Sequence, residues 1–450
     1  MRPPKHSNQP ETAHLFQPLL IDILDPSHEL VVLAAKIDWD WLDGQLCELY
    51  STTGRAAIPT RLMVGLHLLK HAKALSDEEV CRQWKENPYF QLFCGEKYFQ
   101  HRFPIERSSM THWRKRIGDK KLETLISELL RVAHQTGALD IESLSKVIVD
   151  TTVQPKNVTH PTDAKLALRG LTELVKMAKL HGIKLRQSYA KEAKRLAIMA
   201  GRYAHAKQFK RMRKTLKKLK GRLGRVERDI ARKINGNAGL EETFRLPFYK
   251  AFLIRTQKPR DKVKIYSWHA PEVECIAKGK AHKPYEFGIK VSVITPMERS
   301  AGGLFVLHSE AIEGRPYDGH TLNRVIQATR AISGIKPERI YVDKGYVGHD
   351  YPDKRAVFRS GQIRGVTPEI KRELRRRSAV EPVIGHMKTD GHLGRNYLHG
   401  KDGDKINAVL CGAGHNMRLL LKWFATFLLK ILSTIFSQKS SGHRPELQCA

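Results

Sequence analysis

Two short apolar, β-branched runs, each followed by an aspartate, constrain the fold of this chain more than any other feature. Residues 146–149 (KVIV) precede Asp150, and residues 339–342 (RIYV) precede Asp343. Runs of this kind are typical of buried strands. Because ligands in open α/β sheets bind beyond the carboxyl ends of strands, we expect both carboxylates at one sheet edge if the strands are neighbours. Taken singly, either aspartate could equally cap a turn.

The segment between these runs contains more strand-like stretches and then a helix. Residues 264–269, 285–295 and 303–310 read as strands, and residues 318–333 read as a helix that Asp318 begins. Strands followed by a helix and a strand indicate an α/β domain with a mixed sheet. Other acids near turns are interpreted as caps too. These are Asp163, Asp350 and Asp353.

Residues 1–140 read as an all-α domain. Ser76 has the pattern of a helix cap, with Glu79 three residues later. A second helix begins near Ser108 and contains Arg114 and Arg116 close to Trp113. Two helices with a basic, aromatic end indicate a helix-turn-helix-like DNA-binding domain in which both arginines contact DNA. A solvated end of an ordinary helical bundle is equally compatible with this pattern.

A basic helical insertion, residues 163–240, separates the first predicted strand from the rest of the α/β domain. Its apolar positions alternate three and four residues apart, as in a coiled coil, and a turn at Gly182 would supply a partner helix. The seam consists of Phe209, Met212, Leu216, Leu219, Leu223, Val226 and Ile230. The other positions of this segment are crowded with lysine and arginine. This positive charge predicts contact with DNA phosphates, although a solvated helix is the alternative. The expected contacts are Lys207, Lys210, Lys214, Lys217 and Lys218.

The formal net charge of +33 over 450 residues makes a polyanion the expected partner, with nucleic acid first. A membrane is the main competitor, but the apolar residues 419–436 include Lys422 and Lys430 and are interpreted as a core helix. The N-terminus lacks a signal-peptide pattern. Six scattered cysteines without a C-x-x-C pair indicate a cytoplasmic protein without structural zinc. No P-loop, G-x-S-x-G or dinucleotide fingerprint is present, so no nucleotide cofactor is expected.

A third acid stands in a basic stretch near the end of the α/β domain. Arg377, Glu381 and Lys388 are spaced four and seven residues apart, so one helix would place them on one stripe. Flanking cations keep a carboxylate ionised and can meet DNA phosphates. Pro382 disfavours helical geometry at Glu381, so the helix is kinked or begins here. His386 and His392 flank this region and are expected to be ordinary surface histidines.

The segments VIVDTTVQ, YVDKGYVG and RSAVEPVIGHMKTDGHLGRN resemble the DDE transposases of bacterial insertion sequences. The resemblance implies an RNase H-like catalytic domain at residues 141–436, interrupted by the insertion, and a disordered tail at 437–450. It also implies that Asp150, Asp343 and Glu381 bind two Mg²⁺ ions, for which Mn²⁺ can substitute. Arg377, Lys388 and Lys344 would then contact DNA. Leu374 stands where the family has a tyrosine, so no role is assigned to that position.

The implied activity is hydrolysis of double-stranded DNA at the ends of a mobile element, followed by joining of the freed 3′-hydroxyl to target DNA. Joining two ends needs two active sites, so we expect a homodimer on DNA in the bacterial nucleoid. Two alternatives share the scaffold. One is a catalytically inactive DNA-binding repressor, and the other is an RNase H-like nuclease that cuts without joining.

Overall fold

A computed structural model describes residues 17–48, 50, 57–258, 260–280 and 283–440, and the side chains of these except 278–280, 283 and 427–440. The chain contains both helices and a mixed sheet, as predicted. The helices are α1 (Leu20–Ile23), α2 (Glu29–Lys36), α3 (Trp39–Cys47), α4 (Thr60–Ala72), α5 (Asp77–Glu86), α6 (Pro88–Phe93), α7 (Ser108–Gln135), α8 (Asp163–Leu180), α9 (Ala190–His205), α10 (Phe209–Ile234), α11 (Ala238–Thr256), α12 (Leu322–Ser333), α13 (Pro368–Arg376), α14 (Val380–Thr389) and α15 (Gly400–Ser440). The strands are β1 (Lys146–Pro155), β2 (Glu274–Lys280), β3 (Lys283–Pro296), β4 (His308–Ile312), β5 (Arg339–Val342) and β6 (Val357–Arg359).

The sheet has the order β2-β3-β1-β5-β6, and β4 also pairs with β3. Strands β5 and β6 run parallel to each other, and β5 runs parallel to β1. Strand β3 runs antiparallel to β2 and β4. Two backbone hydrogen bonds, from Met297 to Lys146 and from Lys156 to Phe287, show that β3 also runs antiparallel to β1. The sheet is therefore mixed, with β1 at its centre.

Contact clustering divides the chain into two compact units. The first consists of Met1–Pro155 and Ile289–Ala450, and the second of Lys156–Gly288. In the first unit, α15 packs against α4, α7 and β4, and one hydrophobic core contains residues of the N-terminal helices and of β1 and β5. The boundary predicted at residue 140 therefore does not separate two cores. Local periodicity cannot show this, because α15 joins the two regions from the far end of the sequence.

The second unit contains the predicted basic insertion but is larger, since it also includes α11 and β2. The predicted turn is present: α8 ends at Leu180, and Gly182 has a φ of +69°. The seam on α10 is buried from its middle onward, at Leu219, Leu223, Val226 and Ile230. Phe209, predicted as part of that seam, is half exposed because it is the first residue of α10.

Local sequence signals explain several helix ends. Ser76 accepts a hydrogen bond from the Glu79 N–H at 3.0 Å and begins α5, as predicted. The Glu79 carboxylate pairs with Arg82.

At the other end of the chain, α15 continues through residues 437–440, so the disordered tail predicted from 437 does not begin there. Residues 441–450 lie outside the described part.

The apolar stretch at residues 419–436 is helical, and its first part packs in the core through Leu420, Leu421 and Phe424. Side chains beyond residue 426 in this stretch lie outside the described residues. Among the helices that the structure describes, none has an apolar stretch long enough to cross a bilayer.

Candidate active site

Asp150 and Asp343 lie on neighbouring parallel strands. The register pairs Ile148 of β1 with Tyr341 of β5, and each aspartate follows two residues later. Asp343 immediately follows the end of β5, as predicted, whereas Asp150 lies inside β1, which continues to Pro155. The two carboxylates thus belong to adjacent positions of one sheet, because equal offsets in a parallel pair stay side by side.

Arg377 links Asp150 to Glu381. Its Nη2 donates to Asp150 Oδ2 at 2.7 Å, and its Nη1 donates to Glu381 Oε1 at 3.5 Å. The other oxygen of Asp150 accepts the Thr151 N–H at 2.8 Å. Side-chain exposure is 14% for Arg377 and 13% for Asp150, against 62% for Glu381. The guanidinium therefore lies between a nearly buried carboxylate and a solvent-facing one.

The pKa of Asp150 depends on its burial and on the charges of the other two predicted acids. The pKa of Asp150 is raised to about 6, chiefly by burial; the Arg377 charge and the Thr151 N–H lower this pKa, and the charges of Asp343 and Glu381 raise it. Burial dominates because a charged carboxylate loses hydration away from water. The repulsion from Asp343 and Glu381 shows that both are close enough to influence Asp150.

Glu381 owes its position to the break predicted at Pro382. Helix α13 ends at Arg376, a 3-10 turn covers Arg377–Ala379, and α14 begins at Val380. Pro382 therefore lies in the first turn of a new helix, where its missing N–H costs nothing. Of the two alternatives at this proline, the helix start is the one observed. Leu374 is partly buried and packs against a hydrophobic cluster that includes Ile148 and Tyr341.

Asp318 joins the site although its sequence position suggested a cap. Its Oδ1 accepts from Thr151 Oγ1 at 3.2 Å and from Lys290 Nζ at 2.8 Å. The amide near the start of α12 is instead satisfied by Asp350, whose Oδ1 accepts the Asn323 N–H. The prediction that Asp318 begins the helical stretch is confirmed, because a 3-10 turn covers Asp318–Thr321 directly before α12, but the Asp318 carboxylate makes no capping hydrogen bond there. No local signal would have found its contacts, since β1 and β3 are distant in sequence.

Aspartate and glutamate oxygens suit Mg²⁺, which prefers hard donors and retains several waters. Across the described ranges, however, no group of three or more His, Cys, Asp or Glu side chains is arranged to hold a metal ion. Arg377 explains part of this, because its guanidinium occupies the space between Asp150 and Glu381. Asp150 and Asp343 fit a metal by position and donor type, whereas Glu381 would have to exchange Arg377 for the ion.

A basic cavity of about 1240 Å³ opens beyond the far end of α14, within the first compact unit. Its lining includes His112 and Lys115 on α7 and Arg107 just before that helix. The lining also includes Lys388 on α14 and Arg395 after it. Lys388 lies seven residues after Glu381, so the two residues share one face of the helix. The cavity and the acids thus lie along one helix face.

Arg114 lines the same cavity but is a core residue. It is 3% exposed, and its guanidinium donates twice to Asp77, at 3.0 and 2.7 Å. Lys70 donates to the same carboxylate at 2.7 Å. The prediction that Arg114 contacts DNA is therefore corrected: it is the partner of a buried carboxylate. Its neighbour Lys115 was not selected as a DNA contact from the sequence, yet it is exposed on the cavity wall.

The other predicted DNA contacts lie at the surface. Arg116 is exposed above the Tyr50 ring, 5.6 Å from its centroid, and Lys344 is exposed beside the acids. Five lysines of the second unit are also exposed, at Lys207, Lys210, Lys214, Lys217 and Lys218. Of the two flanking histidines, His386 is an exposed partner of Asp390. His392 is partly buried and contacts the Leu75 carbonyl, so it is not a surface histidine.

Comparison with known proteins identifies the class. Residues 19–116 match the family described as Transposase domain (DUF772). A protein of Rhizobium meliloti, "Uncharacterized protein ORF8 in nfe locus", is 53% identical over 209 residues, which cover 46% of this chain and 100% of that protein. No solved structure matches the chain. The chain belongs to the family of that rhizobial protein. Its own residues 19–116 match a transposase domain, and the two findings together support a transposase-family protein.

Proposed function

We propose that this protein is a DDE transposase that binds the terminal inverted repeats of a mobile element and cleaves and joins DNA there with Mg²⁺. One observation supports this most strongly: Asp150 and Asp343 lie side by side on parallel strands, and Arg377 joins Asp150 to Glu381. Strand β1 lies at the centre of the sheet, between β5 and the strand β3 that also pairs with β4, and this supports an RNase H-like catalytic domain.

The three acids would hold the divalent ions, which supply activation of the attacking oxygen and stabilisation of the leaving oxygen when bound. Asp150 and Asp343 would fix the position of the ions at the sheet, because both lie on adjacent strands. Arg377 leaves Asp150 for a DNA phosphate, to which its planar guanidinium can donate two hydrogen bonds. In-line displacement then depends on positioning and charge neutralisation, so no nucleophilic side chain is needed.

DNA binding is assigned to the basic cavity and to the exposed lysines of α10. Lys115 and Lys388, which both line the cavity, can contact phosphates of one DNA segment, which would lead along α14 towards Glu381. Arg116 and Lys344 would contact the DNA backbone on either side of this segment. Contacts of this kind position the DNA without reading its sequence.

The test is cleavage of a DNA fragment that contains the repeats flanking the coding region, with purified protein and Mg²⁺ or Mn²⁺. We expect cuts at the repeat ends and their loss in Asp150→Asn, Asp343→Asn and Glu381→Gln. Asp353→Asn is the matched control because Asp353 is exposed and only caps a 3-10 turn. Tight binding without cleavage by the unaltered protein would instead support a repressor, and cleavage without joining would support a nuclease.

A further inference from the structure

We propose, on the basis of the proposed function, that Asp318 and Asp343 form a divalent-cation subsite next to Asp150, bordered by the hydroxyl of Tyr346. Asp318 is not one of the three acids that the family resemblance supplies. The inference therefore adds a fourth carboxylate to the site and gives a buried tyrosine a role in binding.

The two carboxylates meet at Gly345. Asp343 Oδ1 accepts the Gly345 N–H at 2.8 Å. A Cβ added to this glycine would lie 2.9 Å from Asp343 Oδ1 and 3.4 Å from Asp318 Oδ2. Both side chains thus approach the same backbone atom, and a methyl group there would intrude between them and the backbone.

The contacts of Asp318 direct one of its oxygens to this place. Its Oδ1 accepts from Thr151 and from Lys290, whose ammonium also donates to the Pro316 carbonyl at 2.7 Å. Its Oδ2 is the oxygen that faces Gly345 and Asp343. Strands β1 and β3 therefore fix the carboxylate from behind, as outer partners orient metal ligands elsewhere.

Tyr346 supplies an independent indication of a ligand. Its side chain is completely buried, and its hydroxyl has no hydrogen-bond partner among the described residues. The turn Lys344–Tyr346 packs against the turn Asp318–Thr321, so Tyr346 lies near Asp318. Burial and the charges of Asp318, Asp150 and Asp343 raise the pKa of Tyr346. An unpaired buried hydroxyl is costly and needs an explanation. A cation-bound water or a phosphate oxygen at the subsite would accept its hydrogen bond.

The charge count also favours a cation here. Asp150, Asp318, Asp343 and Glu381 contribute four negative charges to the site, and Arg377 and Lys290 are the cations that pair with these carboxylates. Two negative charges remain when all four acids are ionised. One divalent ion would compensate them, and carboxylates kept this close repel one another without it.

The experiment measures Mn²⁺ binding to the full-length protein without DNA, by electron paramagnetic resonance of free Mn²⁺. We expect Asp318→Asn to weaken the affinity of one bound ion by about tenfold or more. Asn keeps the shape and the hydrogen bond to Thr151, and the melting temperature of the metal-free variant verifies folding. Asp353→Asn should bind Mn²⁺ like the unaltered protein. Equal binding by Asp318→Asn would overturn the subsite.

Tyr346→Phe separates a binding role from a packing role. Removing an unpaired buried hydroxyl should raise the melting temperature of the metal-free protein, whereas Mn²⁺ affinity should fall. A raised melting temperature with unchanged affinity would overturn the role of the hydroxyl.

The two proposals can fail separately. Mn²⁺ binding that depends on Asp318, in a protein that cuts no DNA, would support the subsite and contradict the transposase activity. DNA cleavage that depends on Asp150, with Mn²⁺ binding indifferent to Asp318, would support the activity and overturn the subsite.

Discussion

At the scale of single residues, Asp150 lies where the sequence predicts it, but its carboxylate is nearly buried. Burial raises its pKa from 3.8 to about 6, so between these pH values the folded protein binds more protons than the unfolded one. Stability then falls as pH rises through this window, because the carboxylate must ionise while buried. Above pH 6 the full cost of the buried charge is present.

Asp150→Asn should therefore gain stability relative to the unaltered protein as pH rises. We expect this difference in the free energy of unfolding to increase by roughly 2–3 kcal/mol between pH 4 and pH 7. Urea unfolding of the metal-free proteins at both pH values measures it. Asp353→Asn, at an exposed cap, is the control for the same carboxyl-to-amide change at the surface. A constant difference for Asp150→Asn would contradict a raised pKa.

Residues differed in how well the sequence predicted them, and the reason is the distance to their partners. Asp150 and Asp343 were recognisable because each follows an apolar run that forms its own strand. Asp318 was not recognisable as a site residue, because its partners Thr151 and Lys290 lie on β1 and β3. Arg114 was assigned to DNA because the sequence does not show that Asp77 on another helix faces it.

At the scale of secondary-structure elements, α10 shows two faces with different roles. Its buried residues form the seam that packs in the second unit, which alternation of three and four residues predicted. Its lysines are exposed along the same helix. Periodicity can predict such a division within one element, but the number of partner helices depends on the tertiary fold. The added helix α11 is an example.

The exposed lysines of α10, together with Lys207 in the turn just before it, should contribute directly to DNA affinity. Replacing Lys207, Lys214 and Lys218 by alanine should weaken binding of many sequences alike and reduce the slope of log K against log salt by up to about 2.7, at roughly 0.9 for each phosphate contact. Fluorescence anisotropy over a salt series measures this slope. Replacing the exposed Lys176, Lys179 and Lys191 on α8 and α9 tests the location. An equal loss in both triple variants would indicate general basicity rather than a surface on α10.

At the scale of the whole molecule, the sequence predicted the classes of structure but not the grouping of the parts. The α/β region, the N-terminal helices and the basic insertion are all present. The N-terminal helices nevertheless share a core with β1, β5 and α15, so the matched transposase domain at residues 19–116 is part of the same compact unit as the acids. This arrangement places the cavity proposed to bind DNA and the acids proposed to act on it in one compact unit.

One compact unit contains one set of Asp150, Asp343 and Glu381, whereas joining a mobile element requires chemistry at two ends. A homodimer with twofold symmetry would supply one set for each end. Mixing equal amounts of unaltered protein and Asp150→Asn should then reduce joining of paired ends to about a quarter of that by the unaltered protein, since only that fraction of random dimers has two intact sites. Quantitative gel analysis of joined products measures this. Single-end cleavage in the same mixture should fall only to about half, because each site cuts its own end. A fall to one half in both reactions would contradict a requirement for two active sites in one complex.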